Sequence, residues 1–77
     1  MKEQIIKILS DIRPEFDFSQ DGVNFIEDGM LDSFDVVTIV NDLEETFNIT
    51  IDGMAILPEN FSTVAQIEAL VNSSKKR

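Results

Sequence analysis

A serine stands between two aspartates in the stretch Gly29-Met30-Leu31-Asp32-Ser33-Phe34-Asp35-Val36-Val37. A loop ends there and a strongly periodic apolar pattern begins. A serine hydroxyl becomes a nucleophile when a base takes its proton, and that base is usually histidine. The chain has 0 histidines and 0 cysteines. Its lysines, Lys2, Lys7, Lys75 and Lys76, lie far along the chain from Ser33. Ser33 is therefore not expected to catalyse a reaction, although it can be the substrate of another enzyme. The same absences remove disulfides, thiolate metal sites and the commonest metal ligand. Asp28, Asp32 and Asp35 do not have the spacing of an EF-hand calcium loop.

The junction also has ordinary helix-start chemistry. Asp32 suits the N-cap of a helix beginning there, which makes Ser33 its first residue and Asp35 its third. Asp35 then favours the positive end of the helix dipole. On this reading Ser33 is not needed for capping, and its side chain faces solvent. An anionic group attached to it would meet free backbone N–H groups, against repulsion from Asp32 and Asp35. The alternative is that Ser33 is itself the cap, with Asp32 just before it.

Three helices are expected to position this junction. The first runs from about Lys2 to Ile12, because Ile5, Ile8, Leu9 and Ile12 recur at i, i+3, i+4 and i+7. Pro14 disfavours helical geometry at Arg13 and ends it. A long connection follows, to about Leu31, with turn signals at Asp21-Gly22 and Asp28-Gly29. It also carries Phe16, Phe18, Val23, Phe25, Ile26 and Leu31, so it should be pinned to the core. The second helix runs from about Ser33 to Phe47, with Val36, Ile39, Val40, Leu43 and Phe47 as its buried stripe. Asn48 is a candidate left-handed terminator. Residues 49–56 alternate loosely but are expected to form a loop, since Asp52-Gly53 interrupts them and no second strand is evident. Leu57-Pro58-Glu59-Asn60-Phe61 suits a short helical turn with Pro58 at its first position. Thr63 and Gln66 fit a capping box for a last helix, whose inner face is Val64, Ile67, Leu70 and Val71. Residues 73–77 are expected to fray. The fold class is therefore all-α: a bundle of three main helices, a short extra turn and a long first loop, as one domain over residues 1–77.

The chain has 77 residues and an apolar content of 43%, enough to fold with a modest core. Its start, Met1-Lys2-Glu3-Gln4, opens no apolar signal region, and no run approaches membrane-spanning length, so the cytoplasm is the expected compartment. Net charge is −9, and every formal charge between Pro14 and Ser74 is negative. Such a surface repels nucleic acid and anionic membranes and attracts basic protein patches. Once the buried stripe of the second helix is assigned, Phe34, Val37 and Asn41 remain on a neighbouring face. Phe34 and Val37 either form a small docking surface beside Ser33 or tuck beneath the long loop. Asp42, Glu44 and Glu45 oppose the macrodipole at the far end of this helix, where no cation of the same helix offsets them. A local rule broken in this way points to function.

Taken together, these features resemble the acyl carrier protein family. That family's attachment motif is an acidic Gly-x-x-Asp-Ser-Leu type stretch opening its second helix, here Gly29-Met30-Leu31-Asp32-Ser33-Phe34. Asn24-Phe25-Ile26-Glu27-Asp28-Gly29 resembles the loop before it, and Leu43-Glu44-Glu45-Thr46-Phe47 the end of that helix. The resemblance implies that a phosphopantetheinyl transferase attaches 4′-phosphopantetheine from coenzyme A to Ser33. The arm's thiol would carry acyl groups as thioesters, so the reactive sulfur is the cofactor's, not a cysteine's. It also implies a monomeric, non-enzymatic carrier loaded by an acyl or aminoacyl ligase or transferase and read by downstream synthases with basic docking patches. Asp32, Phe34, Asp35, Val37, Asn41, Glu44 and Glu45 are then the candidate contacts, and docking should be transient and salt-sensitive.

Cargo is a separate question. The leading expectation is an acyl carrier of fatty acid biosynthesis and lipid metabolism. Asp35 resembles that branch, whereas Asp32-Ser33-Phe34 resembles the D-alanyl carriers of teichoic acid modification, and Asn41 replaces an apolar residue common in fatty acid carriers. The alternative is thus a D-alanyl or other aminoacyl carrier. A third reading, from another class, is an unmodified acidic adaptor that binds a basic protein.

Overall fold

The computed structural model describes every residue from Met1 to Arg77. Helix α1 spans Lys2–Ile12, α2 Ser33–Phe47 and α3 Val64–Ser73. Strand β1 (Ile49–Thr50) follows α2, 3₁₀ turns at Gly53–Ala55 and Pro58–Phe61 lead to α3, and strand β2 (Lys75–Lys76) closes the chain. The α1 boundaries are those its apolar spacing predicts. At its end Arg13 adopts the extended φ of −130° required before proline, and its N–H donates to Leu9 O at 2.9 Å.

The inner stripes of the helices meet in one cluster of 16 buried apolar residues. Ile5 and Leu9 of α1, Ile39 and Leu43 of α2, and Ile67 of α3 lose all their solvent exposure there. Truncating such a side chain to alanine typically costs about 2–5 kcal/mol, the transfer cost plus the cavity left behind. Helix α1 lies against both α2 and α3, and the second 3₁₀ turn packs on α3 and on α2.

The long connection belongs to this core. Phe18 and Phe25 are buried and meet edge to face at 5.0 Å, and Phe16 meets Phe18 in the same way at 6.3 Å. Phe25 N–H donates to Ser62 O at 2.8 Å, which ties the loop to the start of α3. Asn24 Oδ1 accepts from Ile26 N–H and Glu27 N–H, and Asp28 N–H returns to Asn24 O. The segment is thus one self-capped turn. Gly29 ends it with φ +74°, a region costly for a residue with a Cβ, and the chain then drops Met30 and Leu31 into the core.

Two expectations need correction. Residues 49 and 50 are a strand, and the tail does not fray: β1 and β2 pair antiparallel, Ile49 opposite Lys76 and Thr50 opposite Lys75. The missing partner strand is the basic tail itself, whose polar sequence hides any strand pattern. Arg77 N–H adds a bond to Asn48 O at 3.0 Å. Asn48 is left-handed as expected, with φ 55°, and this reversal turns the chain from α2 into β1. The all-α expectation therefore holds for the main elements but omits a small sheet. At α3 only the forward half of the expected box forms, Gln66 N–H donating to Thr63 Oγ1 at 3.1 Å.

Candidate functional site

Asp32, not Ser33, caps α2. Its Oδ1 accepts from Asp35 N–H at 3.0 Å, and Asp35 Oδ2 accepts from Asp32 N–H at 3.1 Å. The two aspartates thus form a reciprocal capping box across Ser33 and Phe34, with Asp35 in the role usually taken by glutamate. Ser33 is the first helical residue, is exposed, and its hydroxyl bonds nothing else in the chain. The N–H groups of Ser33 and Phe34 precede the first intrahelical bonds and point outward from the positive end of the helix. Buried Met30 and Leu31 hold the chain before the serine, and buried Val36 holds it after. An unbonded hydroxyl is therefore displayed on an anchored turn.

One participant was not foreseen. Arg13, just after α1, donates from Nε to Asp35 Oδ2 at 2.8 Å and from Nη2 to Asp32 Oδ2 at 3.2 Å, while Nη1 lies 3.5 Å from Glu15. One guanidinium bridges both members of the capping box. The hydrogen bond to Asp35, and then the charge of Asp35, raise Arg13 further above its ordinary range, so it stays cationic wherever the protein is folded. A signal was present in the sequence: Arg13 is the last cation before Lys75, and Pro14 turns it out of its helix. Its partner lies 22 positions away, which no local spacing reveals.

The candidate contacts divide. Asp35 is buried beneath Arg13, with a side chain only 11% exposed. Glu44 is turned inward: Oε2 accepts from Ile51 N–H at 2.9 Å, and Oε1 lies 3.6 Å from Arg77. Phe34 and Val37 do not tuck under the loop, being 83% and 67% exposed. With exposed Asn41 and Glu45 they recur at i, i+3, i+7 and i+11, one outward stripe leading away from Ser33. Asp32 stays exposed at its head despite the bond to Arg13.

Comparison with known proteins agrees with this geometry. Residues 3–71 match the family described as the phosphopantetheine attachment site. The chain belongs to that carrier family. Among curated proteins it is 36% identical over 75 residues to a D-alanyl carrier protein of Leuconostoc mesenteroides, covering 92% of this chain and 96% of the relative. It is 30% identical over 76 residues to the D-alanyl carrier protein of Lactococcus lactis, covering 97% and 96%. It is 32% identical over 75 residues to that of Leuconostoc citreum, covering 92% and 96%. No solved structure matches. Membership makes the chain a carrier and not a catalyst, with 4′-phosphopantetheine as its covalently attached group. The residues suit that group, because a primary hydroxyl, free of internal bonds, faces outward beside two unbonded N–H groups. The expectation of fatty acid biosynthesis gains no support from these relatives, which back the D-alanyl alternative better than the fatty acyl reading. No helix of this carrier is long and apolar enough to cross a membrane.

Proposed function

We propose that Ser33 is the attachment residue and that this carrier, acting as a single domain with an acyl-carrier-like helical bundle, bears D-alanine as a thioester. One observation carries the site: Ser33 is the exposed, unbonded hydroxyl at the first position of α2, framed by a complete capping box. The identity to D-alanyl carriers over almost the whole chain supports the cargo. Bound there, 4′-phosphopantetheine supplies the thiol that this cysteine-free chain lacks. The protein's share is placement. Met30, Leu31 and Val36 hold the serine against the core while its hydroxyl faces solvent.

The working partners are a phosphopantetheinyl transferase, a ligase that adenylates D-alanine and loads it, and an enzyme that consumes the thioester. The natural setting is the cytoplasm, where coenzyme A is at hand. Docking uses the outward stripe Phe34, Val37, Asn41 and Glu45, with Asp32 at its head. Asp35 and Glu44 act inside the chain instead, because Arg13 and the Ile51 N–H already engage them. The stripe holds fewer free acids than its helix contains, so apolar contact by Phe34 and Val37 contributes binding while charge steers approach.

Intact mass tests the site. Incubation with coenzyme A and a broad-specificity phosphopantetheinyl transferase is expected to add one phosphopantetheinyl group to the wild type and none to Ser33→Ala. Loading then tests the cargo. A D-alanine-adenylating ligase with ATP should add one alanyl group that hydroxylamine releases, while a fatty acyl ligase adds none. Acylation by the fatty acyl ligase alone would restore the lipid reading. No mass gain on a folded sample would favour the acidic adaptor.

A further inference from the structure

We infer that Arg13 is a positioning residue for the attachment serine, locking the first turn of α2 to the end of α1 so that the Ser33 hydroxyl is held in one place. The inference rests on Ser33 as the attachment residue. Its basis is the bridge of one guanidinium across both carboxylates of a single capping box.

Asp35 carries more than capping requires. Its Oδ2 accepts from Asp32 N–H and also from Arg13 Nε, and its side chain is 11% exposed. A carboxylate so enclosed depends on a cation beside it, because burial disfavours an unpaired charge. No other basic residue of the chain pairs with Asp35 or Asp32. Without Arg13, the carboxylate of Asp35 regains water by swinging outward, and that motion breaks its bond to Asp32 N–H. The box opens, and Ser33 lies between its two members.

The geometry also explains how two acids can flank a hydroxyl that receives a phosphate. Arg13 offsets their charge at hydrogen-bond distance, where compensation is most effective. Guanidinium chemistry suits this task, since its planar fork reaches two separate carboxylates at once. A lysine at the same position provides one point charge for two acceptors. The bond that forms in the modification is between Ser33 Oγ and the phosphorus of coenzyme A's pantetheine phosphate. The bond that breaks is the pyrophosphate link to the adenosine 3′,5′-bisphosphate leaving group, and the serine proton goes to the transferase's base. Arg13 takes no part in those exchanges. It determines where Oγ is when they occur.

The test is the steady-state rate of modification by coenzyme A and the transferase for wild type, Arg13→Gln, Arg13→Lys and a control, Lys7→Gln. Lys7 pairs only with exposed Asp11 on the same helix. All are compared at a temperature where each is fully folded, alongside amide hydrogen exchange. In Arg13→Gln the turnover is expected to fall about tenfold with KM for coenzyme A unchanged, as for a reacting atom displaced by a fraction of an ångström. Arg13→Lys should recover part of the loss, and Lys7→Gln should match wild type. The amides of Asp35 and Val36 should exchange faster in Arg13→Gln while that of Ile67 in α3 does not. Wild-type turnover in a folded Arg13→Gln overturns the inference. So does faster exchange of equal factor at all three amides, which would mean general loosening. A wild type that takes up no group at all removes the Ser33 assignment, and the inference with it.

Discussion

The two ends of α2 are each braced by an arginine from another part of the chain, yet the braces differ in kind. At the start, Arg13 approaches Asp35 to 2.8 Å, and the carboxylate it meets is buried and already part of a capping box. Negative charge is favourable there, since it faces the positive end of the helix. At the far end, Arg77 lies 3.6 Å from Glu44 and is itself half exposed. Glu44 opposes the dipole at that end and is held by its bond from Ile51 N–H. The same pair of charges thus fixes geometry at one end and adds little at the other. Burial and hydrogen-bond count decide the difference.

Substitutions at the two ends should break this comparison unequally. Asp35→Ala removes a cap acceptor and leaves Arg13 with only Asp32 and Glu15, and urea unfolding should show a loss of about 2–3 kcal/mol. Glu44→Ala leaves a backbone N–H without its acceptor, for about 1 kcal/mol in the same assay. Arg77→Ala should cost about 0.5 kcal/mol or less, since an exposed ion pair contributes little and the strand pairing uses backbone atoms. If Arg77→Ala matched Asp35→Ala, the two braces would be equivalent and the contrast wrong. The smallest expected effect is global: with net charge −9, added salt should raise the melting temperature modestly by screening self-repulsion among the acids. A melting temperature that stays flat as salt rises would count against self-repulsion as a destabilising force.

The readable parts of this molecule were local ones. Periodicity placed α1 and α2 to the residue; Asp32 and Thr63 marked starts where a side chain accepts from a backbone N–H three positions on, and Asn48 an end where a left-handed backbone N–H donates to Glu44 O. That the Ser33 hydroxyl is spare was legible for the same reason, since a hydroxyl unneeded for capping stands out against a capped helix start. The arginine bridge and the β1–β2 pair were not legible, because each joins residues that only tertiary folding brings together. Lys75 and Lys76 in particular look like a solvated tail, and their strand role lies in backbone bonds that side-chain type does not report. Phe34 and Val37 fall between these cases. Helical spacing put them off the core face, but only the packed loop showed that nothing covers them.

The phenylalanine stack in the long loop has a practical consequence. The chain contains 0 tryptophans and 0 tyrosines, so ultraviolet absorbance and intrinsic fluorescence are nearly silent. Phe16, Phe18 and Phe25 are nonetheless fixed edge to face inside the loop that leads to the turn holding Ser33. Rings held in that way shift the proton resonances of their neighbours only while the packing persists. This weakly absorbing protein therefore has a built-in magnetic reporter, readable without any label, of whether the segment presenting its serine is in place.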